Sequence, residues 1–259
     1  MSLAGGLGYF LRTSGDCRKP RMKSLLLVMA LSAVLPPGAM AQSFCASDAQ
    51  ATPTALVERF ISADCEACWR AQPPDSPAAQ TLALDWIVPG QQGDEAPLSA
   101  AANRDALMRL DSLGRAAPAT TTSILTRVGQ QRAHHLRVAH GLALGGYIGA
   151  SIEFKTAVVP RHPERLSAWL VLIETIPAGT EGTPVARNIV RNVFKPLWRK
   201  REQLSKTEQI LFKEMRPLNI PEGAAPERLR MVGWVQDARG RVLTAAQSVC
   251  VPPEPSLSE

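Results

Sequence analysis

The stretch Ser62-Ala63-Asp64-Cys65-Glu66-Ala67-Cys68-Trp69-Arg70 sets two cysteines three positions apart, directly after the apolar run Ala55-Leu56-Val57-Glu58-Arg59-Phe60-Ile61. The run has strand character. From Cys65 to about Gln72 the chain can be helical, until Pro73-Pro74 breaks it. A cysteine at a helix start meets free amides and the positive end of the helix dipole, which stabilise a thiolate and lower its pKa. In a catalytic reading Cys65 is the nucleophile that forms a mixed disulfide and Cys68 is the resolving thiol one turn along. The alternative is a cystine that only fastens the helix start to the strand. Asp64 and Glu66 flank Cys65 and oppose the helix-start effect, and Arg70 offsets part of it.

Working outward, Thr81 to Val88 reads as a second buried strand that ends at the turn signal Pro89-Gly90. Residues 91–98 form a loop. Ala100 to Leu113 has helical spacing, with Ala102, Ala106, Leu107, Leu110 and Leu113 on one side. Strand, paired cysteines at a helix start, strand, helix is the opening order of a thioredoxin-type unit. Such a unit needs a proline facing the active cysteine from the next strand, and Pro118 is the candidate, ahead of a strand over Thr120 to Val128.

Beyond about residue 130 the pattern changes. Leu136 to Phe154, Leu166 to Ile176, Val185 to Phe194 and Met231 to Val249 are alternating or apolar, separated by turns such as Asp237-Ala238-Arg239-Gly240. Few helices interrupt them, and an antiparallel sandwich-like domain is the economical reading. The expected fold is therefore α/β plus all-β: a thioredoxin-like domain over residues 42–130, then a β-rich domain over residues 131–251. Residues 252–259 are an acidic, Pro/Ser-rich tail expected to fray.

Residues 1–41 read as a secretory signal peptide, with cleavage expected after Ala41. Arg18, Lys19, Arg21 and Lys23 precede the apolar run Leu25 to Leu35 and the small-residue ending Ala39-Met40-Ala41. That run is too short for a bilayer, which needs roughly 20 apolar residues, so no integral membrane segment is expected in the mature chain. Met22-Lys23 makes a more natural start than Met1. The whole chain carries 29 Lys+Arg against 23 Asp+Glu, but residues 1–41 hold five of the former and one of the latter, leaving 24 against 22. The basic balance belongs largely to the leader, and the remainder has no nucleic-acid footprint.

Removal of Cys17 with the leader leaves Cys45, Cys65, Cys68 and Cys250, an even number that suits two disulfides in an oxidising compartment. Of the three pairings, Cys65 with Cys68 and Cys45 with Cys250 is favoured, since a three-residue step readily closes on itself at a helix start. A Cys45–Cys250 bond would join the two ends of the mature chain and contribute up to about 5 kcal/mol in the chain-entropy model. The expected location is periplasmic or secreted.

Three places carry a resemblance: Val57 to Cys68, Arg187-Asn188-Ile189-Val190-Arg191, and Val232 to Asp237 with Gly240 to Ala246. Over roughly residues 53–249 the chain resembles secreted bacterial proteins of unknown function that have a thioredoxin-like N-terminal half and a C-terminal β-domain. The resemblance implies that Cys65 and Cys68 occupy the thioredoxin active-site position. It departs after the second strand, where Asp85-Trp86 gives way to Ile87-Val88-Pro89-Gly90 instead of an aromatic, His/Asp-containing stretch. Only Ala117-Pro118-Ala119 stands in place of a Tyr-Thr-Pro.

Other chemistries of a cysteine pair find little support. Covalent haem needs histidine after the second cysteine, where Trp69 stands. Zinc needs two further ligands, and His134, His135, His140 and His162 are not spaced to pair with cysteine. Copper held by Cys65, Cys68 and a histidine is geometrically possible, yet no partner motif accompanies it, so no cofactor is expected. His134-His135 reads as solvated surface. The run Lys195 to Arg201 reads as a solvated face, or as a patch for anionic lipid or a partner. Hydrolase and nucleotide motifs are absent from the sequence. The leading expectation is an exported thioredoxin-like protein exchanging disulfides with a thiol or disulfide partner in the envelope through Cys65 and Cys68, a possible oxidoreductase. The alternative is a non-enzymatic envelope binding or scaffold protein whose paired cysteines form a structural disulfide. The oligomeric state stays open.

Overall fold

The computed structural model describes residues 45–72, 80–157, 166–198, 202–203 and 210–250. The signal-peptide reading, Pro73-Pro74, His162, Arg199 to Arg201 and the tail all lie outside these residues. In chain order the elements begin with β1 (Cys45–Ala46), β2 (Ala55–Ser62), α1 (Glu66–Arg70), β3 (Thr81–Val88), α2 (Arg104–Ser112) and β4 (Thr121–Arg127). Next come β5 (His134–Leu144), β6 (Tyr147–Thr156), β7 (Ser167–Ile176), β8 (Arg187–Phe194) and β9 (Glu202–Gln203). The last are β10 (Ile210–Asn219), β11 (Leu229–Gln236), β12 (Val242–Gln247) and β13 (Val249–Cys250). One sheet has the order β12-β11-β7-β8-β3-β2-β4 and the other β13-β1-β5-β6-β10-β9.

The expected thioredoxin-like α/β domain followed by an antiparallel sandwich is overturned by this arrangement. β2, β3 and β4 form no layer of their own, because they continue β12-β11-β7-β8 in one seven-stranded sheet. Only two α-helices occur among the described residues, of five and nine residues. The cause lies at the edge of β3. β3 pairs in parallel with β2, and its other edge is taken by β8, also in parallel, with Asp85 opposite Ile189. β8 in turn pairs with β7, so the first strands are built into the sheet of the later ones.

Burial on both faces explains the unbroken apolar runs, since a strand covered on two sides loses its alternation of apolar and polar residues. In β7 the side chains of Trp169, Val171 and Ile173 join the core that includes Ala106 and Leu110 of α2. Ala168, Leu170 and Leu172 point the other way, into a core shared with Val138, Ile152 and Phe154 of the six-stranded sheet. β11 divides likewise: Val232 and Trp234 lie in the first core, Met231 and Val235 in the second. Near α1, Ile61, Ile87 and Ile189 pack with Trp69 in a third cluster. Cross-strand aromatic pairs lock register within the sheet. Trp169 and Trp234 are directly opposed, their ring centroids 5.8 Å apart, and Phe60 and Trp86 repeat the arrangement at 5.9 Å.

α2 is anchored by charge as well as by its apolar side. Asn103 caps its start, accepting from the Asp105 amide at 2.8 Å. From the last turn Arg109 reaches Glu58 of β2 as a bidentate pair at 2.7 and 2.6 Å, both side chains buried. Its guanidinium carbon lies 4.8 Å from the Trp169 ring centroid and 5.0 Å from that of Trp234.

At Gly233 the side chains of the other sheet press against the backbone. A Cβ there would lie 2.6 Å from Val138 Cγ1 and 3.3 Å from Ile152 Cδ1. Gly233→Ala is expected to cost about 1–3 kcal/mol by overpacking. Gly149→Ala, where nothing lies within 4 Å, should stay within about 0.5 kcal/mol of the parent. Urea unfolding of both variants checks this, and equal midpoints would show that the sheets separate freely at Gly233.

Candidate functional site

Cys65 and Cys68 are joined by a disulfide with their Cα atoms 5.3 Å apart, and both are half-buried. β2 ends at Ser62, and the turn that follows is held from both sides. The Ala63 amide donates to the Val88 carbonyl at 2.8 Å, and the Cys65 amide to the Ser62 carbonyl at 3.0 Å. α1 then runs for five residues, with Cys65 at its N-terminal boundary.

The two acidic neighbours of Cys65 are occupied. Asp64 accepts from the Gln91 and Gln92 amides at 2.7 and 3.2 Å. Its carboxylate occupies the space that a Cβ at Gly90 would need, the closest atom falling 2.1 Å from that position. The Pro89-Gly90 turn therefore requires glycine for the close approach of Asp64. Glu66 is paired with Arg70 on the exposed side of α1.

The decisive contacts come from β8. Arg187, 2 % exposed, sends Nη2 to the carbonyls of Cys68, Trp69 and Ala71 at 3.3, 2.7 and 2.7 Å. These are C-terminal carbonyls of α1, which lack helical partners. The same guanidinium donates to Asp85 Oδ1 at 3.2 Å and to Thr183 Oγ1 at 3.0 Å, and it lies 4.8 Å from the Trp69 ring centroid. Asp85 is fully buried, and its other oxygen accepts from Arg59 Nη2 at 2.9 Å and the Asn188 amide at 3.0 Å. Burial pushes the Asp85 carboxyl above its ordinary value against the pull of Arg59 and Arg187, and it lowers Arg187. Trp69 is pinned in turn, its Nε1–H donating to the Glu181 carbonyl at 2.7 Å.

Pro118 is half-buried in the segment before β4. β4 runs antiparallel to β2, so Pro118 stands at the sheet end where the cysteine turn begins, and the Ser62 amide donates to the Thr120 carbonyl at 2.7 Å. The side chains brought directly onto the turn are Arg187 and Trp69, to which sequence reasoning gave no role there. The signal for Arg187 was indirect: Asp85 sits within a strand and is buried, and a charge placed so requires a partner, as do Glu58, Arg59 and Glu174. Cys68, Arg59, Ala67, Ala71, Thr121 and Arg187 border a cavity of about 500 Å³.

Cys45 and Cys250 are also joined by a disulfide, in the other sheet, where β1 pairs with β13. His134 is half-buried and hydrogen-bonded through Nδ1 to Thr156 Oγ1 at 3.0 Å, with its ring 5.6 Å from that of Phe154, whereas His135 is exposed. Trp198, from the basic run, stacks on Phe154 at 5.9 Å and on Phe212 at 5.0 Å. Among the described residues no helix is long and apolar enough to cross a membrane.

Fold and site together define a two-sheet β-protein with a clamped cystine turn at the end of a parallel strand pair. No protein-family model matches the chain, and no curated protein does. Among solved structures it is similar to HBP35 of Porphyromonas gingivalis, with a TM-score of 0.42 and 11 % identity over 80 % of this chain and 78 % of that one.

Arg187→Met should destabilise the fold by about 3–5 kcal/mol, as expected when one partner of a buried ion pair is removed. Arg187→Lys should recover less than half of that loss, because an ammonium lacks the planar fork; full recovery in urea unfolding would show that charge alone matters. Burial also lowers the His134 imidazole below its ordinary value of 6.5. The unfolded chain then binds the proton more readily, so stability is whole above about pH 6.5 and declines as pH falls through the window beneath it. His134→Gln should reduce the loss of stability between about pH 7.5 and about pH 5, and an unchanged loss would exclude His134 as its source.

Proposed function

We propose that this chain is an exported, non-enzymatic binding or scaffold protein of the bacterial cell envelope, in which the Cys65–Cys68 cystine is structural. The observation that carries the reading is the Arg187 clamp, which ties the carbonyls of Cys68, Trp69 and Ala71 to buried Asp85. Exchange requires a sulfur to be attacked by an outside thiolate and the two sulfurs to part. A turn fixed to the core by its last carbonyls, with its tryptophan buried, resists that movement. Two cystines suit an oxidising compartment outside the cytoplasm. Support for a working surface comes from the β5–β6 hairpin and β10, where Leu142, Leu144, Tyr147 and Met215 are 54 to 83 % exposed. Exposed apolar side chains gathered on neighbouring strands favour contact with another protein.

A second reading, disulfide exchange with Cys65 as nucleophile, draws on the half-exposed cystine and the cavity beside Cys68. A redox titration quenched with a thiol-alkylating mass tag decides between them. A structural cystine should resist reduction to below about −300 mV, and Cys65→Ser should trap no mixed disulfides with envelope proteins. A reversible couple between about −270 and −120 mV would overturn the scaffold reading.

A further inference from the structure

The second cystine has a neighbour that the scaffold reading does not use. β13, β1 and β5 are adjacent antiparallel strands, and their register puts Cys250 opposite Cys45 and Cys45 opposite His140. Directly opposed residues project to the same face of a sheet. The two sulfurs and a ring nitrogen of His140 accordingly lie within 4.8 Å of one another. Cys45 is 2 % exposed and His140 4 %.

His140 Nδ1 lies 2.9 Å from the Gly141 carbonyl, an acceptor, so Nδ1 carries the proton and the lone pair falls on Nε2. Nε2 is buried and has no hydrogen-bond partner among the described residues. An acceptor buried without a partner carries a desolvation penalty. A donated Nδ1–H that leaves the other nitrogen free is also the arrangement found behind metal-binding histidines. Two thiolates and one imidazole form a soft, three-membered ligand set, which suits monovalent copper better than hard cations.

We propose that Cys45, Cys250 and His140 form a binding site for monovalent copper in the reduced protein. A dithiol reductant supplies the change of state: two electrons and two protons convert the cystine to two thiols, and the reductant becomes a disulfide. Copper(I) then displaces both thiol protons and takes the two thiolates and His140 Nε2 as ligands, with no change in its own oxidation state. The ion replaces the S–S bond as the tie between β1 and β13, so the cross-link persists in both states. The site is independent of the cysteine turn at Cys65 and goes beyond the scaffold reading.

The test uses the chain carrying Cys65→Ser and Cys68→Ser, reduced anaerobically with a phosphine and titrated with copper(I) against the chromophoric competitor bicinchoninate. One copper per chain is expected, with X-ray absorption showing two sulfurs and one imidazole nitrogen. His140→Ala should weaken binding at least tenfold, and near-UV circular dichroism of the oxidised variant checks that it has folded. His140→Gln provides a second variant of closer size. Absence of binding, copper bound without imidazole scattering, or affinity within threefold of the parent in a folded His140 variant would overturn the proposal. Preference for zinc(II) with a fourth ligand would overturn the three-coordinate assignment.

Discussion

The buried pair of Asp85 and Arg187 is the constraint on which the rest of this structure depends. Asp85 lies in the middle of β3, between β2 and β8, where a carboxylate without partners would be prohibitively costly. Two guanidiniums and a backbone amide satisfy it, and they come from the strands on either side: Arg59 on β2, and Arg187 with the Asn188 amide at the start of β8. Meeting the needs of one buried charge therefore joins the early strands to a strand a hundred residues later. Arg187 uses its remaining donors on the carbonyls of α1, so the cystine turn is positioned by the same interaction.

Similar use of buried charge recurs at two other joints. Glu58 and Arg109 dock α2 against the seven-stranded sheet, with the guanidinium beside two stacked tryptophans. Glu174 of β7 accepts from Arg191 at 2.8 Å and from the Ala225 amide at 3.0 Å, and it pairs with Arg228 at 2.8 Å. In each case an acidic group inside a strand selects an arginine from a distant segment. Hydrophobic burial drives the collapse, but it is indifferent to which apolar strand lies beside which. An ion pair that must be satisfied in the interior gives the strand order a specific penalty for error.

The two cystines occupy different mechanical settings. Cys65–Cys68 closes a local turn already restrained by Arg187, Asp64 and Trp69, so it adds rigidity where the chain is held by other means. Cys45–Cys250 bridges a separation of 205 residues between two strands of two residues each. Such short strands contribute few ladder bonds; the covalent tie holds β13 to β1, and β1 pairs in turn with β5.

Sequence alone determined most of the long strand-forming segments, the two turns at Pro89-Gly90 and Asp237 to Gly240, and the short helix after Cys65, because apolar pattern and turn chemistry act over a few residues; it missed β10, whose apolar residues are interrupted by Lys213, Glu214, Arg216 and Pro217. The charges that stand within apolar runs, Glu58, Arg59, Asp85 and Glu174, drew no reading of their own, because nothing local says what faces them. Tertiary structure decided the partners. Reading β2, α1, β3 and α2 in order suggested a thioredoxin-like unit, since that order is local, whereas the occupant of the free edge of β3 is not. Parallel pairing of β3 with β8, the Arg187 clamp on the cystine turn, and the alignment of Cys250, Cys45 and His140 across three strands all join residues far apart in the chain. No local propensity encodes such pairings; they are set by which arrangement buries the apolar faces while leaving no interior charge unpaired.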